Sequence, residues 1–312
     1  MTTSATPLAA VCAAFSGLID YAGLFPPAQL GMKTALAEYV AARRSPHAWM
    51  LARFILAASR IDELLQDAAG APPPLSVIVD AGNDSRAWFG NAQGALARIA
   101  TLKNSSSVPI EALEVPLSPL LSLRETYDAA IGQYAAAASQ AELRDVPSFI
   151  ELPRNDRWLA LLPGALAAMQ RHRLGAKLRC GGVTAASVPP VLDVATFLHL
   201  ANEEATAFKA TAGLHHPIRG YNEQSGFIMH GFLNVLTAAA LAKTGAALED
   251  LIAVLEDEET SHFVFEDEAL LWKGRTIPAE LLKQTRERFF VAYGSCSFDE
   301  PVNDLAALGM LA

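Results

Sequence analysis

Strand-like and helix-like segments alternate along the chain, and this alternation limits the possible folds more than any other feature of the sequence. Eight strand-like segments are each followed by a segment with helical periodicity. The expected strands are 17–25, 52–58, 75–82, 110–117, 147–154, 176–182, 207–213 and 290–298. Regular strand–helix alternation is typical of parallel α/β folds, and eight units in roughly 250 residues are typical of a closed barrel. The sequence therefore predicts an α/β fold of the (β/α)8 TIM-barrel type.

The chain has 312 residues, which is more than eight units need, and the excess falls in two places. Residues 1–16 are expected to form an N-terminal cap with a short helix. Residues 246–289 are expected to form an inserted helix–hairpin–helix excursion before the eighth strand. A doubly wound open sheet is the alternative, but no Gly-x-Gly-x-x-Gly motif follows the first strand. We therefore expect one barrel domain over residues 1–312.

Two lysines, Lys177 and Lys209, lie in consecutive expected strands whose other residues are mostly apolar. Parallel strands are normally buried on both faces, so a charged residue within them needs a specific reason. The two strands are separated by about thirty residues, the length of a βαβ connection, which would make the strands neighbours. Because side chains alternate between the faces of a strand, Arg179 shares the face of Lys177. This lysine pair, at matching depth in adjacent strands, is the centre of the predicted site.

Three carboxylates, Asp20, Glu114 and Glu151, lie in the first, fourth and fifth expected strands. Active sites of such barrels lie at the carboxyl ends of the strands, so these side chains are expected beside the lysines. Burying an unpaired charge is very costly, and the opposite charges are therefore expected to pair. Two alternatives then stay open for Glu114 and Glu151. One is a functional role, proton transfer for Glu114 and substrate binding for Glu151, and the other is simple ion pairing with the cations of the sixth strand.

The segments after the seventh and eighth expected strands are rich in small and polar residues. Barrels often bind phosphate with these two loops, here through backbone N–H groups and hydroxyls. The alternative is that small residues simply allow the barrel to close. Of the adjacent His215 and His216, one is expected to line the site and the other to pack, and we assign His215 to the site. The expected substrate-binding residues are Arg179, Glu151, His215, Arg219, Gly213, Gly294, Ser295 and Ser297.

Composition and charge exclude several classes of partner. The net charge of −9 disfavours nucleic acid and anionic membranes, and the sequence contains no apolar run of about 18 residues. The first twenty residues contain neither Lys nor Arg, which disfavours a secretory signal. The three cysteines lack a Cys-x-x-Cys spacing and an adjacent base, so we expect a cytoplasmic protein without a thiol nucleophile. No residue cluster has clear metal-ligand spacing, so neither a metal nor a cofactor is expected, and a homo-oligomer is compatible with the sequence.

The motifs on the sixth, seventh and eighth expected strands resemble those of class I aldolases of the deoxyribose-phosphate aldolase type. That family carries Lys-x-x-x-Gly, then a second lysine followed by glycines, then Gly-x-Ser-Ser. The corresponding segments are Lys177-Leu178-Arg179-Cys180-Gly181, Lys209-Ala210-Thr211-Ala212-Gly213 and Gly294-Ser295-Cys296-Ser297. The family's carboxylates on strands one and four would correspond to Asp20 and Glu114. The resemblance covers these short motifs and their order, and it implies a Schiff base between a lysine and a carbonyl substrate.

The chain also departs from the pattern of that family. Glu114 stands where the family has Asp, and Arg179 adds a permanent cation where the family has a small polar residue. The 246–289 excursion and the His215-His216 pair have no counterpart that can be placed. These departures indicate a substrate other than the family's own, and Arg179 favours one that bears a carboxylate.

The combined expectation is a Schiff-base-forming lyase, an aldolase that acts on a small anionic carbonyl compound, phosphorylated or carboxylated. Lys177 would attack the carbonyl while Glu114 or Asp20 transfers protons, and Lys209 could instead be the nucleophile. Burial and the neighbouring cation would lower the pKa of the reacting lysine and so provide the free amine. Two alternatives stay open. One is a barrel enzyme that binds a multiply anionic substrate without covalent chemistry, as phosphoribosyltransferases or decarboxylases do, and the other is a non-catalytic metabolite-binding barrel.

Overall fold

A computed structural model of the protein describes residues 7–68, 72–105, 108–118 and 127–311, and its centre is a closed barrel of eight parallel strands. The last of these strands pairs with the first and so closes the ring. The barrel strands are β1 Ile19–Tyr21, β2 Leu51–Ala57, β3 Leu75–Ile78, β4 Ile110–Pro116, β5 Ser148–Glu151, β6 Gly175–Arg179, β7 Phe208–Thr211 and β13 Phe290–Ser295. The predicted (β/α)8 barrel is confirmed.

A helix follows each barrel strand, although β7 and β13 are joined by a longer connection. These helices are α2 Met32–Ala42, α3 Ile61–Asp67, α4 Trp88–Ser105, α5 Tyr127–Gln140, α6 Trp158–His172, α7 Val191–Glu203, α8 Phe232–Lys243 and α11 Asp299–Ala307. The buried residues of α5, for example, are Tyr127, Ala130, Ile131, Tyr134 and Ala138, at positions i, i+3, i+4, i+7 and i+11. Such spacing places them on one face of a helix, which explains why the helix packs on the barrel.

The 246–289 segment covers the outer side of α8. It forms α9 Leu248–Leu255, the strands β10 Phe263–Phe265, β11 Ala269–Trp272 and β12 Arg275–Pro278, and α10 Ala279–Arg288. Both α9 and α10 pack against α8, which is why every residue of α8 from Phe232 to Ala242 is buried. The expected hairpin is instead a three-stranded antiparallel sheet, because the segment after the turn at Gly274 pairs with β11.

The expected N-terminal cap contains α1 Ala9–Phe15, and residues 1–6 of the cap lie outside the described residues. This helix packs against α10 and β11, so the two segments outside the eight units contact each other. The ring of Phe15 lies against Phe232 and Phe265, with ring centroids 6.2 and 5.4 Å away. Among the described helices, we find none with the length and apolar character needed to cross a bilayer.

A short hairpin stands between β7 and α8, where no strand was predicted. Its two antiparallel strands are β8 Gly220–Asn222 and β9 Phe227–Met229. It follows the carboxyl end of β7, which is the end of the barrel where active sites of this fold lie. The hairpin therefore contributes to the surface above the two lysine-bearing strands.

Candidate active site

A pocket of about 510 Å³ opens at the carboxyl ends of the barrel strands. Charged groups on its inner surface include Glu114, Lys177 and Arg179. Much of the remaining wall is apolar and is contributed by the loops after the strands and by the hairpin. The apolar residues of the wall include Phe25, Pro26, Pro27, Ile55, Ile78, Val183, Leu214 and Met229.

Lys177 lies on β6 between two carboxylates of neighbouring strands. Its Nζ is 2.8 Å from Oε2 of Glu114 and 2.9 Å from Oε2 of Glu151. The side chain is 5% exposed and forms part of the pocket wall. Parallel pairing sets Lys177 level with Glu151 on β5 and with Lys209 on β7, which explains how three charged residues meet at one depth.

Lys209 lies deeper in the barrel and is 1% exposed. Its Nζ is 2.6 Å from Oδ2 of Asp20, donates a hydrogen bond to Ser76 Oγ at 2.8 Å, and forms an ion pair with Glu114 Oε1. Among the described residues that line the pocket, Lys177 is present and Lys209 is not. Of the two lysines, Lys177 is therefore the one that a ligand in the pocket can reach.

Two residues that sequence reasoning missed hold these carboxylates in place. Ser76 Oγ donates a hydrogen bond of 2.7 Å to Glu114 Oε1. The backbone N–H of Arg53 donates to Asp20 Oδ1 at 3.0 Å, and the guanidinium lies 3.4 Å from the same oxygen. A single polar residue within the apolar run of β3 was the available signal for Ser76.

The ion pairs determine the charge states of the cluster. Burial alone would lower the pKa of Lys177, but Glu114 and Glu151 outweigh it, so the pKa is raised. Burial alone would raise the pKa of Glu114, but Lys177 and Lys209 hold it well below its usual range. The pKa of Glu151 is lowered in the same way by Lys177 and Arg179. The prediction that a neighbouring cation lowers the pKa of Lys177 is wrong for this state, because two carboxylates contact its ammonium.

Arg179 lies at the edge of this cluster. Its Nε contacts Glu151 Oε1 at 2.8 Å, and 50% of its side chain is exposed. Its guanidinium thus forms an ion pair with the buried cluster and also borders the pocket. This arrangement leaves a cation within reach of an anionic ligand.

The predicted anion-binding residues are only partly together. Gly213, Gly294 and Ser295 line the pocket, whereas Arg219 and Ser297 are absent from its described wall. Arg219 contacts Glu258 at 3.3 Å, and Ser297 accepts the hydrogen bond of Ser295 Oγ at 2.6 Å. Both residues therefore serve contacts within the protein in this structure.

The glycines at the ends of β6 and β7 have a packing role. Gly213 has a φ of +74°, and a Cβ on Gly181 would lie 2.7 Å from the Cα of Gly213. Two side chains could not fit at this approach, so the two strand ends can meet only because both residues are glycine. Glycine at positions 181 and 213 of the two lysine motifs is therefore explained by the packing of the barrel.

The adjacent histidines are both held by α11. Nδ1 of His215 is 2.9 Å from Glu300 Oε2, and Nδ1 of His216 is 2.6 Å from Asp304 Oδ2. Four positions separate the two carboxylates, so they lie on one face of the helix. His215 lines the pocket, whereas His216 is absent from the described lining and contacts Asn222 through Nε2 at 2.8 Å.

Hydrogen bonds with Cys296 and Glu300 raise the pKa of His215 to about 10, so this residue is a cation at neutral pH. Cys296 is another lining residue that was not assigned to the site from the sequence. The described residues contain no group of three or more His, Cys, Asp or Glu side chains arranged to hold a metal ion.

No protein-family model matches the chain, and no curated protein matches its sequence. The fold and the site therefore define the class of protein. It is a (β/α)8-barrel protein, an architecture common among enzymes, with a buried cluster of ion pairs beneath a pocket at the carboxyl ends of the strands.

Proposed function

We propose that the protein is a lyase that forms a Schiff base between Lys177 and a small carbonyl compound, as class I aldolases do. The observation that carries this proposal is the position of the Lys177 amine. It borders the pocket and lies within 2.9 Å of two carboxylates, whereas Lys209 is enclosed by Asp20, Ser76 and Glu114. Lys177 is thus the nucleophile of the proposal.

The ion pairs support an iminium on Lys177. When a lysine ammonium and a carbonyl compound become an iminium and water, one positive charge stays on Nζ. Glu114 and Glu151, which contact the ammonium, would remain beside that charge, and the single N–H of the iminium would donate to one of them. The attack itself needs the free amine, so a proton must first leave Nζ, and the contacting carboxylates offer the path to water in the pocket.

Lys209 would have an electrostatic role in this scheme. It contacts Oε1 of Glu114, while Lys177 contacts Oε2, and it would keep that carboxylate ionised while Lys177 changes its state. Asp20 contacts Lys209 and the backbone of Arg53, so its proposed role is to balance the charge of Lys209. Proton transfer at the substrate is assigned to Glu114, which lines the pocket, whereas Glu151 is absent from the described wall and holds Lys177 and Arg179.

The pocket wall suggests the kind of substrate. Arg179 and the protonated His215 provide positive charge for a carboxylate or phosphate group. Apolar side chains such as Phe25, Ile55 and Leu214 could contact a short carbon chain. In the proposed reaction the iminium accepts the electron pair of the breaking C–C bond. The resulting enamine takes up a proton, and hydrolysis releases the second product and restores the Lys177 amine.

A second candidate function is an enzyme that binds a multiply anionic substrate without a covalent adduct. The observation in its favour is the raised pKa of Lys177, which keeps the residue as an ammonium counter-charge. In that case Lys177, Arg179 and His215 would bind anionic groups together. The same pocket serves both candidates, so only chemistry at the amine separates them.

Exchange of carbon-bound protons tests the proposal, because an iminium acidifies the protons on the neighbouring carbon. Pyruvate, 2-oxobutyrate and dihydroxyacetone phosphate are incubated with the protein in heavy water, and deuterium uptake is followed by NMR. We expect accelerated exchange for at least one compound, and a return to the rate of the buffer in Lys177→Arg. The matched control is Lys283→Arg, at an exposed position on α10.

Two outcomes would count against the lyase. Exchange that persists in a folded Lys177→Arg variant would rule out Lys177 as the nucleophile. Salt-sensitive binding of the same compounds without exchange would favour the non-covalent candidate instead.

A further inference from the structure

Arg179 and Thr211 are neighbours in the wall of the pocket. They are paired across β6 and β7, just as Lys177 and Lys209 are paired deeper in the barrel. Each follows the lysine of its own strand by two positions, so it shares the face of that lysine and lies roughly 7 Å further along the strand. Both residues line the pocket. A guanidinium and a hydroxyl therefore lie side by side between the lysines and the pocket mouth.

Most of the hydrogen-bonding groups on these two side chains have no partner within the part of the chain that the structure describes. The guanidinium of Arg179 makes one hydrogen bond there, from Nε to Glu151 Oε1 at 2.8 Å, so Nη1 and Nη2 remain for a ligand. The hydroxyl of Thr211 makes none with the described residues. A Cβ on Gly294 would lie 3.5 Å from Thr211 Oγ1, in contact with it, so the glycine leaves this hydroxyl uncovered.

Glu151 determines how far these donors are from the amine of Lys177. One oxygen of its carboxylate, Oε2, lies 2.9 Å from Lys177 Nζ, and the other, Oε1, lies 2.8 Å from Arg179 Nε. The amine and the guanidinium are thus bridged by a single carboxylate group. An anionic group bonded directly to the carbon that Nζ holds would therefore reach the guanidinium. The phosphate of a phosphate ester, separated from that carbon by a methylene group and an oxygen, would lie further out.

We propose that Arg179 and Thr211 form a carboxylate subsite and that the substrate of the lyase is a 2-oxo acid. This inference rests on the Schiff-base function proposed above. In a 2-oxo acid the carboxylate is bonded to the carbonyl carbon, which is the arrangement that the spacing of Arg179 and Lys177 favours. The Nη groups and the hydroxyl would donate hydrogen bonds to the carboxylate and so orient the carbonyl carbon towards Nζ.

The covalent step balances without any further reactant. Nζ of Lys177 forms a bond to the carbonyl carbon, and the bond from that carbon to oxygen breaks. The oxygen leaves as water with two of the three protons of the ammonium, and the third stays on the iminium nitrogen. The carboxylate takes no part in the bond changes, so its contribution is recognition and orientation.

Matched carbonyl compounds measure whether the carboxylate is recognised. Pyruvate and hydroxyacetone share a chain of three carbons, but one carries a carboxylate where the other carries a neutral hydroxymethyl group. Each is titrated against the intact protein with cyanoborohydride, and the half-saturating concentration for the adduct on Lys177 is determined by peptide mass spectrometry. We expect this concentration to be at least about 10-fold lower for pyruvate than for hydroxyacetone. It should also be lower for pyruvate than for dihydroxyacetone phosphate.

Variants of the subsite should reduce this preference. Arg179→Gln should lower it at least about 10-fold and Thr211→Val about 3-fold. Because Arg179→Gln also removes a contact of Glu151, it changes the Lys177 amine for every carbonyl compound, so the ratio between pyruvate and hydroxyacetone is the quantity compared. The matched control is Arg60→Gln. Arg60 also pairs through Nε with a glutamate, at 2.7 Å, but it is absent from the described pocket wall, so its variant should keep the ratio.

The failure of this inference differs from the failure of the lyase proposal. An adduct on Lys177 with no preference for pyruvate, or with a tighter response to dihydroxyacetone phosphate, would overturn the 2-oxo acid and leave the lyase standing. A ratio unchanged in folded Arg179→Gln or Thr211→Val would overturn the carboxylate subsite. The absence of an adduct with every compound would overturn the lyase proposal and this inference with it.

Discussion

Lys177 and Lys209 lie at the same level of two adjacent strands, but their surroundings give them different chemistry. Lys209 is enclosed by Asp20, Glu114 and Ser76 and is 1% exposed. Lys177 meets two carboxylates on one side and the pocket on the other. The difference arises from the neighbouring side chains, since the backbone positions of the two lysines are equivalent.

The raised pKa of Lys177 predicts how adduct formation depends on pH. The reactive form is the neutral amine, and Glu114 and Glu151 hold the proton on Nζ above the ordinary pKa of 10.5. The rate of imine formation with pyruvate should therefore rise throughout the range from about pH 6 to pH 9, without a plateau. Glu151→Gln removes one of the two carboxylates and should shift this profile down by about one pH unit.

The control for this prediction is Glu111→Gln, which removes a half-exposed carboxylate that pairs with Arg53 at 3.2 Å. Stopped-flow absorbance of the imine measures both profiles. An unchanged profile in Glu151→Gln would contradict the assigned cause of the raised pKa.

Replacing Asp20 should lower the stability of the protein strongly. It is fully buried, and its replacement by Ala would leave Lys209 with Glu114 as its remaining ion-pair partner and remove an acceptor from the backbone of Arg53. Breaking a buried ion pair typically lowers the free energy of unfolding by about 3–5 kcal/mol. Glu63→Ala breaks the more exposed pair with Arg60 and should cost at most about 1 kcal/mol. Urea denaturation measures both, and similar costs would contradict the prediction.

Much of the charged cluster could be predicted from the sequence because strand alternation and parallel pairing fix the neighbours of each residue. Lys177 and Lys209 were expected at one depth, with Glu114 and Glu151 beside them, and ion pairs in the structure connect the four residues. The contacts of His215 with Glu300 and of His216 with Asp304 were not predicted. The partners lie 85 and 88 positions apart in the sequence, and no local pattern links them.

Among the secondary-structure elements, the hairpin of β8 and β9 is expected to contribute to ligand binding. Asn222, Gln224, Ser225 and Met229 from this hairpin line the pocket. Replacing residues 222–227 by a short Gly-Ser turn should weaken binding of any ligand of the pocket, because one wall is removed. The midpoint of thermal unfolding should change by only a few degrees, since the eight barrel strands are untouched.

The control for this change is a similar shortening of the exposed turn at 273–274, between β11 and β12, away from the pocket. Isothermal titration with the ligand found in the exchange experiment measures the loss. Equal affinities in both variants would show that the hairpin is not part of the binding site.

The strands that were not predicted were missed for the same physical reason. Strands β8, β9 and β12 have three or four residues each, too few to show a clear periodicity. Their pairing is set by turns and by contacts with distant segments. Several barrel strands are equally short, but they were predicted because each lies in a longer strand-like run that is followed by a helical segment. The longer helices carry enough residues for an apolar pattern of their own.

For the molecule as a whole, the burial of His230 should make the free energy of unfolding depend on pH. It is buried near Arg219 at the start of α8, and Nε2 lies 2.8 Å from the carbonyl oxygen of Pro189. Burial lowers the pKa of His230 to about 4, against 6.5 for an exposed histidine. Between these values the unfolded chain binds more protons than the folded one, so this contribution to stability is lost as the pH falls from 6.5 to 4.

The expected loss from His230 is about 3 kcal/mol of unfolding free energy across this window. In His230→Gln, which keeps a donor for Pro189, the decline in stability between pH 6.5 and pH 4 should be smaller by that amount. Urea denaturation at several pH values measures it. Parallel curves for the two proteins would contradict the assignment.

The whole barrel was predictable because each of its eight units repeats the same alternation of a strand and a helix. The 246–289 segment lies between α8 and β13, and its packing on α8 and α1 depends on contacts far apart in sequence. The charge states of the pocket were least predictable. These charge states depend on which of several nearby charged groups are in direct contact. The distances between those groups are set only when the segments assemble, so no single segment of the sequence predicts them.

Reductive trapping would reveal a Schiff base on Lys177 as a stable, covalently modified lysine. The protein is incubated with pyruvate and a panel of small aldehydes and 2-oxo acids, reduced with borohydride, and mapped by peptide mass spectrometry. We expect one stoichiometric adduct, on Lys177, and none on Lys209. An adduct on Lys209, or the absence of any adduct in folded protein, would contradict this expectation, and the latter result would favour non-covalent binding of an anion.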